Sequence, residues 1–473
     1  MFRCACCCSL IVLAFAGHTT LAEQPSAEWL AGDHHVHSRY SVGPDYRFDP
    51  PAYRIGLHGR YTIPKNAYLA SQYGLSWMVS TDHGGRNHAK MNLEQAYPEL
   101  LLSRKVVPNV IQFFGFEINT PGADHASIIV PRTYDEGERV YQIESRFDRN
   151  GADQSDTDAR STQRMVDALL EMQTFDELPV VIANHPSRRP ANGDKFGLTS
   201  PSALRAWNNA VPEIAVGMAG APGRQAATLD ADDRPIVDKY RGNYETQPTF
   251  GGFDIMTAEL GGFWDSMLGE GRRWWVTANS DSHKNWKDGG DDFWPGEFSK
   301  TYVFAEKNHD DILSSLRNGK VFVTTGDLVS ELYVTVSTIS GESADIGGEL
   351  NVRAGDTATI TIRLRDPNGK NHHGDEPTVN RVDLIIGDIF GVRDDPDRAS
   401  NPSSRVLRRF SATDWSREGE VLTMTQQLPV NGDFYVRVRG TNSGEDEPLP
   451  DTAGEDPWLE LWFYSNPVFV NVE

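Results

Sequence analysis

Cysteine is scarce and confined to one place: all four residues, Cys4, Cys6, Cys7 and Cys8, fall within the first eight positions. Once such a segment is removed on export, the mature chain has no disulfide, no thiolate ligand and no cysteine nucleophile. Positive charge is also short, with 45 Lys and Arg against 67 Asp and Glu, a formal charge of −22. That field repels nucleic acid and anionic membrane surfaces, so no nucleic-acid binding is expected. An anionic substrate would have to be drawn in by local cations such as bound metal. Long apolar runs are missing too. The run "LIVLAFAG" is too short to span a bilayer, and no other is long enough, so no membrane anchor is expected.

What is present begins with an export pattern. Arg3 supplies a positive start, "LIVLAFAG" an apolar segment, and Thr20-Leu21-Ala22 a small-residue cleavage site, which predicts a signal peptide over 1–22. No cysteine stands just after a cleavage site, so a lipid anchor is not expected. The expected location is periplasmic or secreted. The remaining chain, of 473 residues in all and 38% hydrophobic, is long enough for two or three globular domains.

From about 29 to 185 a helical-looking stretch, a short apolar run and an ionisable residue recur. "GLSWMVSTDHGG" is the clearest case: Trp77, Met78 and Val79 read as a buried strand that ends at Asp82 and His83. "VIQFFGFEINT" ends on Glu117, "LPVVIANHPS" on His185, and "RRWWVTANSDSH" on Asp281 and His283. Apolar strands that deliver ionisable side chains at their C-terminal ends, alternating with helices, predict a parallel α/β barrel with its site on that rim. The stretches 39–66 and 186–260 read as long loop insertions, the second because of its Gly, Pro and Asp content. Further on, "GGFWDSMLGEG" reads as a short helix with Phe263, Met267 and Leu268 inward, ended by Gly269 or Gly271. "NHDDILSSLRNGKVFVTTG" reads as a helix capped by Asp310, faced by Ile312, Leu313 and Leu316, stopped by Gly319 and followed by a strand.

After about 330 the pattern changes to period-two alternation in "ELYVTVSTI", "TATITIRLRD", "RVDLIIGDI", "VLTMTQQL", "GDFYVRVRGT" and "NPVFVNVE". Residues 331–473 are therefore expected to form a separate antiparallel β-sandwich that packs on the barrel domain of 23–330. The eleven tryptophans read as core rather than as a stacking platform.

The chemistry is carried by "AGDHHVHS". Residues i and i+2 of a strand share a face, so His35 and His37 can reach one metal while His34 points away. Asp82 and His83, Glu117, His125, His185, and Asp281 with His283 bring the count to nine ligand-type residues at six places. Carboxylates mixed with imidazoles, without cysteine, suit Zn²⁺, Mn²⁺ or Fe²⁺. At three protein ligands per catalytic ion, nine could furnish two or three divalent ions. Glu117 is suited to bridge a pair, because each oxygen can bind one. Such ions about 3.5–4 Å apart would generate a hydroxide nucleophile and clamp the oxygens of a displacement.

In this order, "GDHHVHS", "TDHGG", "GFEI…HASII", "IANHPS" and "NSDSH" resemble the motifs of the PHP (polymerase and histidinol phosphatase) superfamily of metal-dependent phosphoesterases. The resemblance covers about residues 29 to 325. One departure is His34, where an apolar residue is usual. "FWDSMLGEG", "DDILSSLRNGKVFVTTGD" and "FYSNPVFV" look like the CehA/McbA branch, named for hydrolysis of an aryl carbamate. The resemblance implies a distorted (β/α)7 barrel and a metallohydrolase. It also implies that His35, His37, Glu117 and Asp281 hold one metal and that Glu117, His125 and His185 hold a second. Asp82, His83 and His283 would surround a third position.

Arg86, Arg188, Arg189 and Lys284 follow the motifs and are candidates to hold a substrate anion. His58 and His88 read as loop residues, and His309 as a helix start. The expected partner is a small-molecule phosphate ester, or alternatively a carbamate, ester or amide cleaved by the same metals. A third reading is a metal-stabilised binding protein with an inert barrel. Nothing in the sequence fixes an oligomeric state.

Overall fold

The computed structural model describes residue 1 and residues 26–473 apart from 46, 50, 51, 152–157 and 189–194. The cysteines, the rest of the expected signal peptide over 1–22 after Met1, and Arg189 lie outside the described residues. The chain is mixed α/β, with one large mixed sheet and further antiparallel sheets. No helix among the described residues is long and apolar enough to cross a membrane.

Strand β1 (Glu28–Val36) is followed by a hairpin of β2 (Val42–Asp45) and β3 (Ala52–Ile55), helix α1 (Ile63–Gln72) and strand β4 (Trp77–Ser80). Next come α2 (His88–Met91), α3 (Tyr97–Val106), β5 (Ile111–Asn119) and β6 (His125–Ile129). Helices α4 (Glu136–Phe147) and α5 (Thr162–Met172) lead to β7 (Val180–Asn184), α6 (Pro201–Ala210) and β8 (Ala215–Ala221). Short α7 (Ile255–Ala258) and α8 (Phe263–Gly269) precede β9 (Trp275–Ala278), β10 (Ser299–Ala305), α9 (His309–Arg317) and β11 (Val321–Thr325). The helices start where capping chemistry directs. Thr62, Ser161 and Ser200 each accept a first-turn N–H through the side-chain oxygen, and Pro64 and Pro201 sit in first turns where their missing N–H costs nothing.

These strands lie in the order β11-β10-β1-β4-β5-β6-β7-β8-β9. Pairs β1–β4, β4–β5, β7–β8 and β8–β9 are parallel. The all-parallel expectation fails at two places, because β6 runs antiparallel to β5 and β7, and β10 antiparallel to β1 and β11. The turn 120–124 between β5 and β6 has no room for a crossover helix, and antiparallel pairing is what a short connection permits. The site rim survives the reversal. An antiparallel strand begins where its neighbours end, so His125, the first residue of β6, pairs with Asn119 on one side and Asn184 on the other. A parallel bridge joins Val36 to Ser282, bringing the end of β1 against the segment after β9.

The stretch 186–260 is not only loop: it holds α6 and β8. "AVGMAGA" carries little strand propensity of its own and is buried throughout. Gly217 is required there, since a Cβ would stand 2.0 Å from the Trp275 carbonyl oxygen. Helix α9 is capped by Asn308, whose side chain accepts from Asp311 N, rather than by Asp310. Its Ile312, Leu313 and Leu316 are buried as its periodicity requires. His88 opens α2 and is buried against Glu144, with Nδ1 to Oε1 at 2.5 Å, instead of lying in a loop.

The C-terminal part contains β12 (Glu331–Thr338), β13 (Ser343–Ala344), β14 (Glu349–Val352), β15 (Thr357–Arg365), β16 (Arg381–Asp388) and β17 (Arg405–Phe410). It ends with β18 (Ser416–Glu418), β19 (Val421–Pro429), β20 (Phe434–Thr441), β21 (Trp462–Ser465) and β22 (Val468–Val472). Strands β13-β12-β15-β19-β18 form an antiparallel sheet. The others join the large sheet, because β21 pairs antiparallel with β11. One sheet thus runs unbroken across the expected boundary at 330. Alternation identifies strands but not their neighbours. The two sheets share one apolar core, with Val334, Ile360, Ile362 and Leu422 of one facing Val382, Leu384, Val436 and Val438 of the other.

Strand β20 departs from the alternation rule. Arg437 and Arg439 alternate with valines as a solvent face would, yet both are fully buried. Arg439 is paired with Asp383 at 3.1 Å and Glu447 at 2.6 Å, and Arg437 is covered by α8. Asp265 of α8 receives Arg437 through two parallel bonds of 2.8 Å, and Tyr435 Oη donates to the same carboxylate at 2.9 Å. Removing one member of such a pair strands a buried charge, at a cost of about 3–5 kcal/mol. Asp265→Ala is expected to destabilise the fold by that amount in chemical denaturation, and Asp265→Leu with Arg437→Met by clearly less.

Candidate metal centre

The nine sequence-derived residues are all buried. Eight of them converge, and the donor atoms form overlapping groups: His35, His37 and Glu117; His37, Asp281 and His283; His83, Glu117 and His125; and Asp124, His125 and His185. His35 Nε2 lies 2.9 Å from His37 Nε2, 3.1 Å from Glu117 Oε1 and 3.2 Å from Asp281 Oδ1. His37 Nε2 lies 3.0 Å from Asp281 Oδ1 and 3.5 Å from Glu117 Oε2. Donors bound at about 2.0–2.2 Å to one ion stand about 2.8–3.6 Å apart along the edges of a tetrahedron or octahedron. These spacings fall within that range.

Glu117 is the hub. Its Oε1 faces His35, His125 Nδ1 at 3.2 Å and His185 Nε2 at 3.3 Å, while Oε2 faces His37 and, at 3.8 Å, His83 Nε2. Asn184 Nδ2 donates to Oε1 at 3.0 Å and is itself held by Ser127.

Tautomers show which nitrogens are free. His283 Nδ1 lies 2.6 Å from the Asp281 carbonyl and His83 Nδ1 lies 3.0 Å from the Gly84 carbonyl. A carbonyl only accepts, so both Nδ1 atoms carry the proton and both Nε2 atoms present lone pairs. Asp82 does the same for His37 indirectly. It accepts from Ser41 Oγ at 2.9 Å, and that oxygen accepts from His37 Nδ1 at 2.9 Å. Inward lone pairs facing carboxylate oxygens repel unless a proton or cation lies between them. His35 Nδ1 and His283 Nε2 are buried without a hydrogen-bond partner. The donor set fits divalent cations.

Asp82 is the residue that stays outside the converging groups. Its oxygens are taken by Ser38 N at 2.5 Å, Ser38 Oγ at 2.6 Å and Ser41, so it orients rather than converges. Among the anion candidates, Arg188 Nη1 reaches Asp281 Oδ2 at 3.4 Å. Arg86 is exposed and Lys284 turns to the Gly289 carbonyl at 3.0 Å. Sequence reasoning missed Asp124, although its Asp-His pairing with His125 repeats that of Asp82-His83. It missed His58, whose ring centroid lies 4.1 Å from that of His283, and Arg224, whose Nε lies 3.5 Å from Asp281 Oδ2. No local signal marks the last two. His34, as expected, points away and meets Thr277 Oγ1 at 2.8 Å.

Backbone strain concentrates here. His185, Arg224 and Asp281 have φ of 28°, 59° and 46°, a region that costs non-glycine residues about 1–3 kcal/mol and persists where the surroundings impose it. Gly223 permits the close approach, since a Cβ there would lie 2.1 Å from Asp281 Cβ.

Burial opposes charge on His35, but Asp281 and Glu117 outweigh it and raise its pKa to about 9. Burial also opposes ionisation of Glu117 and Asp281, yet the histidines around them hold both carboxyls well below the usual range. Burial lowers His83 to about 3 and His58 to about 2, aided respectively by His125 and His83.

No protein family matches the chain, and no curated protein does.

Two outcomes are expected. Because His35 keeps its proton below about pH 9 and a ligand must be neutral, metal loading at pH 7 releases that proton. The apparent affinity then rises up to about tenfold per pH unit towards pH 9, as titration calorimetry in buffers of different ionisation enthalpy would record. Ser41→Ala, which removes the oxygen that fixes the His37 tautomer and also accepts from His83 N at 3.0 Å, is expected to weaken metal binding about 10–100-fold in chelator competition.

Proposed function

We propose that this chain is an exported metal-dependent hydrolase of the PHP type, cleaving phosphate mono- or diesters. The observation that carries the reading is Glu117: one carboxylate whose two oxygens face separate sets of histidines, in a pocket where Nε2 lone pairs converge. The sheet from β1 to β9, with its bridge from Val36 to Ser282, is read as the distorted (β/α)7 barrel, and residues 1–22 as the export signal.

In this reading His35, His37 and Asp281 hold one ion together with Glu117, which shares a second with His125 and His185. His83 and His283 complete a third position, and Asp124 steadies His185 through Nδ1 at 3.3 Å. Bound divalent ions would lower the pKa of water and neutralise charge on phosphoryl oxygens. The chain's own part is positioning. Asn184 fixes Glu117, Ser41 fixes His37, and Arg188 and Arg224 set positive charge beside Asp281, where an anionic substrate needs it in so acidic a protein. Water adds to phosphorus, the bond from phosphorus to the leaving oxygen breaks, and that oxygen departs as the alcohol with a proton from the water. The guanidinium pair favours a phosphoryl group over an uncharged carbamate.

Elemental analysis of the purified mature protein is expected to find two or three ions of Zn, Mn or Fe per chain. In a panel of aryl phosphates and aryl carbamates, the phosphates should turn over faster by at least about tenfold. His35→Ala and Asp281→Ala should each lose about 1,000-fold or more in kcat/KM while keeping a cooperative melt. Near-full activity in either variant, or a protein without metal, would reject the assignment.

A further inference from the structure

Beside the histidine cluster lies a cavity of about 300 Å³ whose two sides differ in chemistry. We propose that it takes phosphate esters of apolar alcohols, with Arg188 and Arg224 holding the anionic head and Tyr53, Leu198, Val42 and Pro44 covering the hydrocarbon. This rests on the phosphoester reading above and adds the class of leaving group.

The charged side is built rather than incidental. Arg188 is only 9% exposed, and its Nε is buried without a hydrogen-bond partner, as is Nε of Arg224. Both guanidinium groups lean on a single oxygen, Asp281 Oδ2, at 3.4 and 3.5 Å. Arg224 also donates to His58 Nε2 at 3.3 Å, and Asp291 approaches its Nη1 at 3.9 Å from an exposed position. Arg224 is held in place by a left-handed backbone with φ of 59°. Arg149 adds a third cation to the lining, anchored by donating to the Ala123 carbonyl at 2.6 Å. A buried and a half-buried guanidinium group sharing one carboxylate oxygen leave donors for a second anion, and a phosphoryl group matches their planar fork.

The apolar part of the lining comes from the β2–β3 hairpin and Leu198, with Asn119, Asp124 and Asn150 as polar neighbours. In the hairpin's register Pro44 stands opposite Tyr53 and Val42 opposite Ile55, so these four share one face. The hairpin is tied to the site at both ends, through Val42 N to the His83 carbonyl at 3.1 Å and Arg60 N to the His283 carbonyl at 3.1 Å. Tyr53 and Leu198 line the cavity yet are 61% and 51% exposed, and Ile55 on the same hairpin face is 40% exposed. The polar Asn119, Asp124 and Asn150 belong to another part of the lining, and Val42, Pro44 and Leu198 offer no side-chain hydrogen bond. A leaving group with hydrocarbon would bury this face when its phosphate reaches the guanidinium pair.

The test is titration calorimetry of the metal-loaded protein with alkylphosphonates from methyl to octyl, which bind without being hydrolysed. Kd is expected to fall with chain length by up to about fourfold per methylene until the wall is covered. Tyr53→Ala with Leu198→Ala should at least halve that slope. Both residues are exposed, so the variant should melt as the parent does. Arg224→Gln should weaken every member by a common factor of about ten and leave the slope. A Kd independent of chain length, binding of no phosphonate, or a slope unchanged in the double variant would each overturn the inference. Failure to hydrolyse any phosphate ester would instead reject the hydrolase reading, since the slope is measured without turnover.

Discussion

The Glu117 carboxylate is buried among four imidazole-bearing strand ends, and this charge inside the fold constrains what surrounds it. An isolated carboxylate would not stay ionised there, because desolvation disfavours the charged form. It stays ionised because His35 and His125 approach it, and those imidazoles in turn need a proton or a cation between their lone pairs and the oxygens. The arrangement is therefore compatible with a bound cation. The fixed tautomers of His37, His83 and His283 make the same point from the nitrogen side.

The surrounding fold spends stability to hold these donors. His185 and Asp281 sit in left-handed backbone directly after β7 and shortly after β9, and Asp281 is approached by Gly223 more closely than any side chain would allow. Strain of that kind survives where the neighbouring elements are rigid. Strands β7, β8 and β9 are buried along their whole length and supply that rigidity. Reversal of β6 is part of the same construction, because it starts a strand on the rim where its neighbours finish and so puts His125 beside Glu117.

The C-terminal part is not an appendage. It continues the large sheet through β21 and grips the first part through the buried pair of Asp265 and Arg437. Its second sheet packs on strands of the large sheet through a shared apolar core. The gripping is electrostatic at several points, among them Arg241 with Asp451 and Glu455 at 3.6 and 3.2 Å, and apolar elsewhere, and the β2–β3 hairpin stands beside the candidate metal centre.

Much of this was legible along the chain. Period-two alternation marked β12, β15, β16, β19, β20 and β22, and apolar runs ending in His, Asp or Glu marked β4, β5, β7 and β9. These are local patterns, set by which face of a strand each residue occupies. The His-x-His spacing likewise placed His35 and His37 together and His34 apart, because strand geometry fixes that over three residues. Other features were decided only in three dimensions. Asp82 became an orienting group because Ser38 and Ser41 reach it first, and Asp124, His58 and Arg224 joined the site from loops with no periodicity to read. Strand order, the reversal of β6 and the burial of Arg437 depended on which distant segment lay alongside. The sequence by itself determined the donor types and the faces they share. Tertiary structure alone decided which donors meet, since distances between residues far apart in the chain are set by packing rather than by spacing.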